Sequence, residues 1–164
     1  MKKRKIAINK KVRNATKIIQ DGIQFKSKLE VYCYKKLKEN NINFRYEEDT
    51  FELIGKFEYP NTCLEPFKDG KKWSMGDKTN KIRPIKYTPD FANTKDGWII
   101  ECKGNANDIF PIKWKLFKHY LFINRLNYRL YLPKNQGHVD ECIKNILKEV
   151  YGRETVLQGE KSKQ

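Results

Sequence analysis

Two rhythms of apolar residues run along this chain. Lys17-Ile-Ile-Gln and Ile23-Gln-Phe25 flank Asp21-Gly22, which supplies the positive φ angles of a tight primed turn and predicts a β-hairpin. From Lys28 to about Glu39 the rhythm lengthens. Leu29, Cys33 and Leu37 recur every four residues behind Ser27, a good N-cap, and Asn40-Asn41 ends the predicted helix. Asn43–Glu47 alternates like a strand, and Phe51–Ile54 is another strand or its continuation. Residues 55–83 break the pattern. Gly and Pro punctuate a polar, basic stretch around Trp73, too long for an ordinary connection, so an inserted functional loop is expected. Ile85–Thr88 leads as a strand into Pro89-Asp90-Phe91. A turn over 93–97 joins it to the strand Trp98–Lys103, which Gly104 ends. A second helix is predicted from about Pro111 to Asn124, with Ile112, Leu116, Tyr120 and Ile123 on its inner face. Tyr128–Leu132 reads as a strand. A third helix is predicted from about Val139 to Tyr151, with Val139, Ile143, Ile146, Leu147 and Val150 inward. The central order α-β-β-β-α-β predicts an α/β fold with a mixed sheet, an N-terminal hairpin and an extra C-terminal helix.

The length of 164 residues suits one domain. We divide it into a basic flexible tail (1–15), one domain (16–151) carrying the 55–83 insertion, and a polar C-terminal tail (152–164). Aromatics at 13% argue for a packed core. No run approaches the ~18 apolar residues of a membrane span, and no apolar stretch follows the basic N-terminus, so a soluble intracellular protein is expected. The cysteines, Cys33, Cys63, Cys102 and Cys142, form no C-x-x-C pair and imply neither a zinc site nor a disulfide framework.

Charge changes the picture more. The formal net charge is +15. Residues 1–13 carry seven basic side chains and no acid, and 65–86 carry seven more against three acids. Lys and Arg replace the counterions condensed on phosphates, so a nucleic acid is the expected partner. The N-terminal tail is too poor in apolar residues for a membrane anchor. Lys2, Lys3, Arg4, Lys5, Lys71, Lys72, Lys81 and Arg83 are the candidate DNA contacts in these two segments. Lys113 and Lys115 join them on the second helix, where a solvated face explains each equally well.

The candidate chemistry lies on two strands. Side chains alternate across a strand, so Glu101 and Lys103 share a face while the side chain of Cys102 points into the core. The 93–97 turn makes the strands neighbours and can bring Asp90 beside Glu101. Two adjacent carboxylates repel one another, and a divalent cation between them relieves the conflict. Lys103 beside such an ion can orient the attacking water or neutralise charge on a phosphate. Glu-x-Lys is also an ordinary pattern on an exposed strand, and Pro-Asp an ordinary turn. What singles them out here is their place on adjacent, hydrophobic strands of a basic protein. Glu30 has two readings. Ser27-x-x-Glu30 is a capping box, and a first-turn Glu can also point toward a site at the sheet.

Ser27-Lys-Leu-Glu30, Thr88-Pro-Asp-Phe91 and Glu101-Cys-Lys-Gly104, in that order, resemble the PD-(D/E)XK nuclease superfamily. The fuller strings Asp21–Glu30 and Tyr87–Phe91 resemble small phage-encoded endonucleases related to the endonuclease-I-type Holliday-junction resolvases, over about residues 16–133. The resemblance implies a restriction-endonuclease-like core and Mg²⁺-dependent hydrolysis of DNA phosphodiesters, with Mn²⁺ able to substitute. It implies metal ligation by Asp90 and Glu101, water positioning by Lys103 and support from Glu30. We count Glu30, Asp90, Glu101 and Lys103 as candidate catalytic residues, and Asp90, Glu101 and Cys102 as the candidate metal set. The insertion and the third helix depart from the resolvases.

The function expected is a DNA endonuclease acting on branched or junction DNA, in the host cytoplasm if phage-encoded. Nicking or restriction-like cleavage of duplex is the alternative within enzymes, and a non-catalytic DNA-binding phage protein the alternative outside them. Paired cuts on a junction imply a homodimer. The hairpin 17–25 is a candidate dimer element unless it packs on its own domain. Trp73 and Trp114 either stack on bases or cover the core. His119 is expected to be packed or capped, His138 to be an exposed loop residue, and Asp108 lies near enough in sequence to reach the site.

Overall fold

The structure is a computed structural model that describes residues 18–77, 81–104 and 109–152. The basic residues of 1–13, Asp108 and most of the C-terminal tail lie outside the described residues. The expected hairpin is β1 (Ile18–Gln20) and β2 (Ile23–Phe25), paired Ile18 to Phe25. Asp21 and Gly22 both take positive φ, 51° and 77°, as a primed two-residue turn requires. The hairpin packs on its own domain. Phe25 is wholly buried, and Asp21 accepts hydrogen bonds from Tyr34 Oη and Lys38 Nζ of the following helix, both at 2.8 Å. That helix, α1 (Lys28–Glu39), starts at Ser27, whose Oγ accepts the Glu30 N–H. Cys33 and Leu37 are fully buried, as the four-residue rhythm predicts.

After β3 (Arg45–Tyr46) comes β4 (Phe51–Ile54), expected as a strand, but the 55–83 insertion that follows is not a loop. Strands β5 (Phe57–Glu58) and β6 (Leu64–Asp69) ascend it, β7 (Lys72–Asp77) and β8 (Lys81–Ile82) return, and β9 (Ile85–Tyr87), also expected as a strand, closes the base. The pairs β4 with β9, β5 with β8 and β6 with β7 nest inside one another, all antiparallel, as successive rungs of a two-stranded ribbon. Gly70 turns its tip at φ 57°. The punctuating Gly and Pro residues mask this pattern: Gly70 sits at the tip, Gly55, Pro60 and Pro84 between rungs, and Pro66 and Gly76 inside β6 and β7. Ribbon side chains also need no alternation when neither face is buried.

The body is a four-stranded mixed sheet in the order β12-β11-β10-β3, with β10 (Phe91–Asn93), β11 (Trp98–Ile100) and β12 (Arg129–Tyr131). The sequence suggests that 85–88 neighbours the Trp98 strand. Instead β9 belongs to the ribbon, and β10 is the antiparallel partner of β11, Phe91 facing Ile100. Pro89 separates the two. It lacks an N–H and disfavours helix at Thr88, so the chain ends one ladder and begins another. Strand β11 pairs parallel with β12 through the crossover helix α2 (Phe110–Ile123). Beyond Ile100 the parallel ladder continues: Glu101 N–H donates to Tyr131 O and Lys103 N–H to Pro133 O.

Three layers result. Phe91, Trp98 and Ile100 face α1 and α3 (Gln136–Tyr151), whereas Ala92 and Ile99 face α2. Trp98, Ile99 and Ile100 are all fully buried, so β11 is the central strand. Burying each such side chain stabilises the fold by about 1.5–3 kcal/mol, which anchors whatever follows on the same strand. The inner face of α2 differs from expectation. Phe110, Trp114, Phe117 and Leu121 are buried and Ile112 is exposed, because the aromatic stripe offers more apolar area than the aliphatic one. Trp114 therefore covers the core, and His119 is exposed on the outer face. Helix α3 begins three residues before the predicted start. Asn135 Oδ1 caps the His138 N–H at 2.9 Å, which places His138 in a helical turn. No helix among the described residues is long and apolar enough to cross a membrane.

Candidate active site

The register that sets Phe91 against Ile100 places Asp90 and Glu101 opposite one another at the open end of β10 and β11. Strand alternation continues past the last paired residue. Ile99, Glu101 and Lys103 fall on the α2 side, and Cys102 joins Cys33 in the core on the α1 side. Asp90 is 8% exposed and Glu101 6%. A buried carboxylate survives only if its oxygens are bonded. Asp90 Oδ2 accepts the backbone N–H of Cys102 at 2.7 Å, and Glu101 Oε2 accepts the Tyr87 hydroxyl at 2.8 Å. Lys103 Nζ stands 3.7 Å from Glu101 Oε1 and 4.6 Å from the centre of the Phe110 ring.

Glu30 reaches the same region from α1. It is 4% exposed. Its Oε1 accepts from Ser27 Oγ at 2.7 Å, and its Oε2 from the Lys26 N–H at 2.9 Å and Tyr46 Oη at 2.7 Å. Half of the expected capping box is present: Ser27 Oγ accepts the Glu30 N–H, but the carboxylate caps the N–H of Lys26, one residue before the expected Ser27 N–H. The two readings of Glu30 are compatible, since its charge also acts on Asp90.

The electrostatics are those of crowded carboxylates. Burial first, then Glu101, then Glu30 hold the Asp90 carboxyl well above its ordinary range. Burial also raises that of Glu101, against the Tyr87 hydroxyl and the Lys103 ammonium, which pull it down. Tyr87 and Tyr46 are pushed up in turn, by burial and by the carboxylates they serve, so both remain hydrogen-bond donors. The Cys102 thiol is held protonated by its neighbour Cys33 and by burial. It faces away from Asp90 and Glu101, so position 102 serves the site through its backbone, not its sulfur.

Sequence reasoning missed four residues here. Tyr87 lies inside a string already singled out, but its partner could not be known. Tyr46 binds Glu30. Glu47 adopts φ 53°, rare for a non-glycine residue, and its N–H donates to Asp90 O at 2.9 Å. Its carboxylate pairs with Lys26, whose ammonium also feels Asp90 and Glu30. No sequence signal marks a strained Glu or the lysine that meets it.

Asp90, Glu101, Glu30 and Glu47 therefore stand against Lys26 and Lys103. Fully ionised, the set lacks two positive charges, the charge of one divalent cation. Among the described residues no three His, Cys, Asp or Glu side chains converge into a metal cage. Such a set does not suit zinc. It does fit Mg²⁺, which keeps several waters and takes one or two carboxylates. Of the candidate DNA contacts, Lys71, Lys72, Lys81 and Arg83 are exposed on the ribbon and Lys115 on α2, with Lys113 half-buried. None of them belongs to the carboxylate cluster.

The sequence model of a family described as a protein of unknown function, DUF1064, matches residues 10–136. No curated protein and no solved structure matches the chain.

Proposed function

The chain belongs to the DUF1064 family, and we propose that it is a Mg²⁺-dependent deoxyribonuclease with a restriction-endonuclease-like core. The reading rests on one observation: a buried, mutually repelling carboxylate pair, Asp90 and Glu101, opposed across β10 and β11 with Lys103 on the same face. Two such carboxylates facing a polyanion weaken simple binding, so a pure DNA-binding protein gains nothing from them.

In this reading Asp90 and Glu101 hold Mg²⁺, which when bound supplies Lewis-acid polarisation of a phosphate oxygen and lowers the pKa of a bound water. The chain's own residues do the rest. The Cys102 N–H and the Tyr87 hydroxyl fix one oxygen of each carboxylate. Lys103, steadied over the Phe110 ring, orients the attacking water or neutralises charge growing on the phosphate. Glu30 and Glu47 set the negative field around Asp90, and Lys26 balances part of it. Branched DNA is the proposed substrate, and a homodimer would deliver paired cuts by symmetry. Incubation in Mg²⁺ with a four-way junction, linear duplex and single-stranded DNA side by side is the test. Metal-dependent cleavage fastest on the junction is expected. No cleavage of any DNA in Mg²⁺ or Mn²⁺ would overturn the reading.

A further inference from the structure

The distal ribbon, β6 and β7, inverts the usual arrangement of a sheet. Residues directly opposed across an antiparallel pair share a face. Leu64, Pro66 with Met75, and Lys68 with Trp73 therefore line one side. Leu64, Met75 and Trp73 are 62%, 65% and 70% exposed. The other side is partly closed on itself. The Phe67 ring lies over Gly76, where an added Cβ would come within 2.7 Å of it. A lone two-stranded hairpin is barely stable in water. Packing among the described residues does not account for the apolar side.

We propose that this ribbon is a DNA-binding arm, its basic tip contacting phosphates and Trp73 stacking on bases. Charge selects the partner. Lys68, Lys71 and Lys72 cluster at the tip, and Lys81, Arg83 and Lys86 follow the ribbon toward its base. Strand addition by a second copy is discouraged, because Pro66 has no N–H to offer and Lys68 follows on the same face of the strand. Lys68 also stands opposite Trp73, on the same face as Leu64 and Met75, whereas the centre of a stable protein interface is depleted of charge. A two-stranded ribbon does fit the major groove of B-DNA. An exposed indole among lysines is the stacking element of single-strand binders. The arm is continuous with the site: β9 ends at Tyr87, which holds Glu101, and Thr50 and Thr88 are hydrogen-bonded across the base at 2.8 Å. Six residues each, β6 and β7 alone are about 20 Å long. The arm can thus engage DNA well away from the scissile phosphate. The proposal deepens the nuclease reading but does not depend on cleavage.

The test uses the full chain in chelator, with a labelled duplex and the same duplex carrying a short central bubble. Replacing Lys68, Lys71 and Lys72 by Gln together should weaken both DNAs and lower the salt slope by about 2–3. Trp73→Leu should weaken the bubble roughly tenfold with the slope unchanged, and Trp73→Phe should recover most of the loss. DNA should quench the fluorescence of the wild type, since Trp98 and Trp114 are buried, and not that of Trp73→Leu. Circular dichroism confirms that each variant is folded. Unchanged affinity and slope in folded variants would overturn the arm. So would variants that lose a dimer in sedimentation while binding DNA normally, which would assign the ribbon to a second copy. Wild-type cleavage in Mg²⁺, scored in parallel, reports the nuclease reading separately. Arm variants that lose binding, beside a wild type that cleaves nothing, would uphold the arm and remove the nuclease.

Discussion

The body of the protein buries carboxylates among apolar side chains, whereas the ribbon exposes apolar side chains among lysines. Each region inverts the ordinary rule in the opposite sense. In the body, Asp90 and Glu101 sit behind the Trp98-Ile-Ile100 run, where burying a charge costs most. In the ribbon, Trp73 and Met75 stand in water although the core beside β4 and β9 is well packed. An inversion that the chain does not relieve internally points outward to a partner. For the carboxylates the proposed partner is a cation. For the ribbon the proposed partner is a polyanion with stacking faces.

The comparison breaks most sharply at Asp90. Asp90→Asn keeps the size and can still accept from the Cys102 N–H, but removes the buried charge. Cleavage should fall by several orders of magnitude in single-turnover assays. The metal-free protein should melt roughly 2–4 °C higher at neutral pH, as the repulsion with Glu101 is lost. A melting temperature that falls would show that the Asp90 charge is paid for within the chain.

Lys103→Ala should lower the single-turnover rate by about 10²–10³-fold while calorimetry still detects Mg²⁺ binding. Loss of metal affinity with an unchanged rate would reverse its role. Glu30→Gln sharpens the contrast inside the body. Three donors converge on Glu30, and an amide must turn its NH₂ toward at least one, so about 1–3 kcal/mol of stability should go. Urea denaturation measures this directly, and an unchanged midpoint would mean that these bonds contribute nothing net.

The smallest expected effect is on pH dependence. The folded carboxyls of Asp90 and Glu101 are raised above their unfolded values. The folded state therefore holds protons more tightly. The pair's contribution is fully present below the ordinary carboxylate range and is lost as pH rises through the raised values. Without metal, the wild type should lose stability over that window relative to Asp90→Asn. Parallel stability curves for the two would exclude it.

Much of the body was legible in the sequence because local signals and burial agree there. Asp21-Gly22, the Ser27 cap and the apolar Trp98-Ile-Ile run each specify one local structure. The opposition of Asp90 and Glu101 also followed, since a short turn fixes the register. Its route did not: Pro89 transfers the chain from one ladder to another, and only tertiary pairing shows that Tyr87 and Phe91 lie on different sheets. Helix α2 was misread because several overlapping stripes of a mostly apolar helix satisfy a 3.6-residue period, and side-chain bulk decided between them. The outer ribbon, 55–83, was illegible for the opposite reason, although β4 and β9 at its base were read as strands. Exposed along most of their length, β5 to β8 carry no alternation of buried and exposed positions. The Lys26–Glu47 pair is beyond sequence reading altogether, because it depends on a left-handed backbone at Glu47.

The most direct test of the account is single-turnover cleavage of a labelled junction across a Mg²⁺ titration, with wild type and Asp90→Asn side by side. The account predicts saturable, Mg²⁺-dependent cleavage by the wild type, none in chelator, and none by Asp90→Asn at any Mg²⁺ concentration although it binds the junction. Equal rates for the two proteins, or cleavage that persists in chelator, would contradict it.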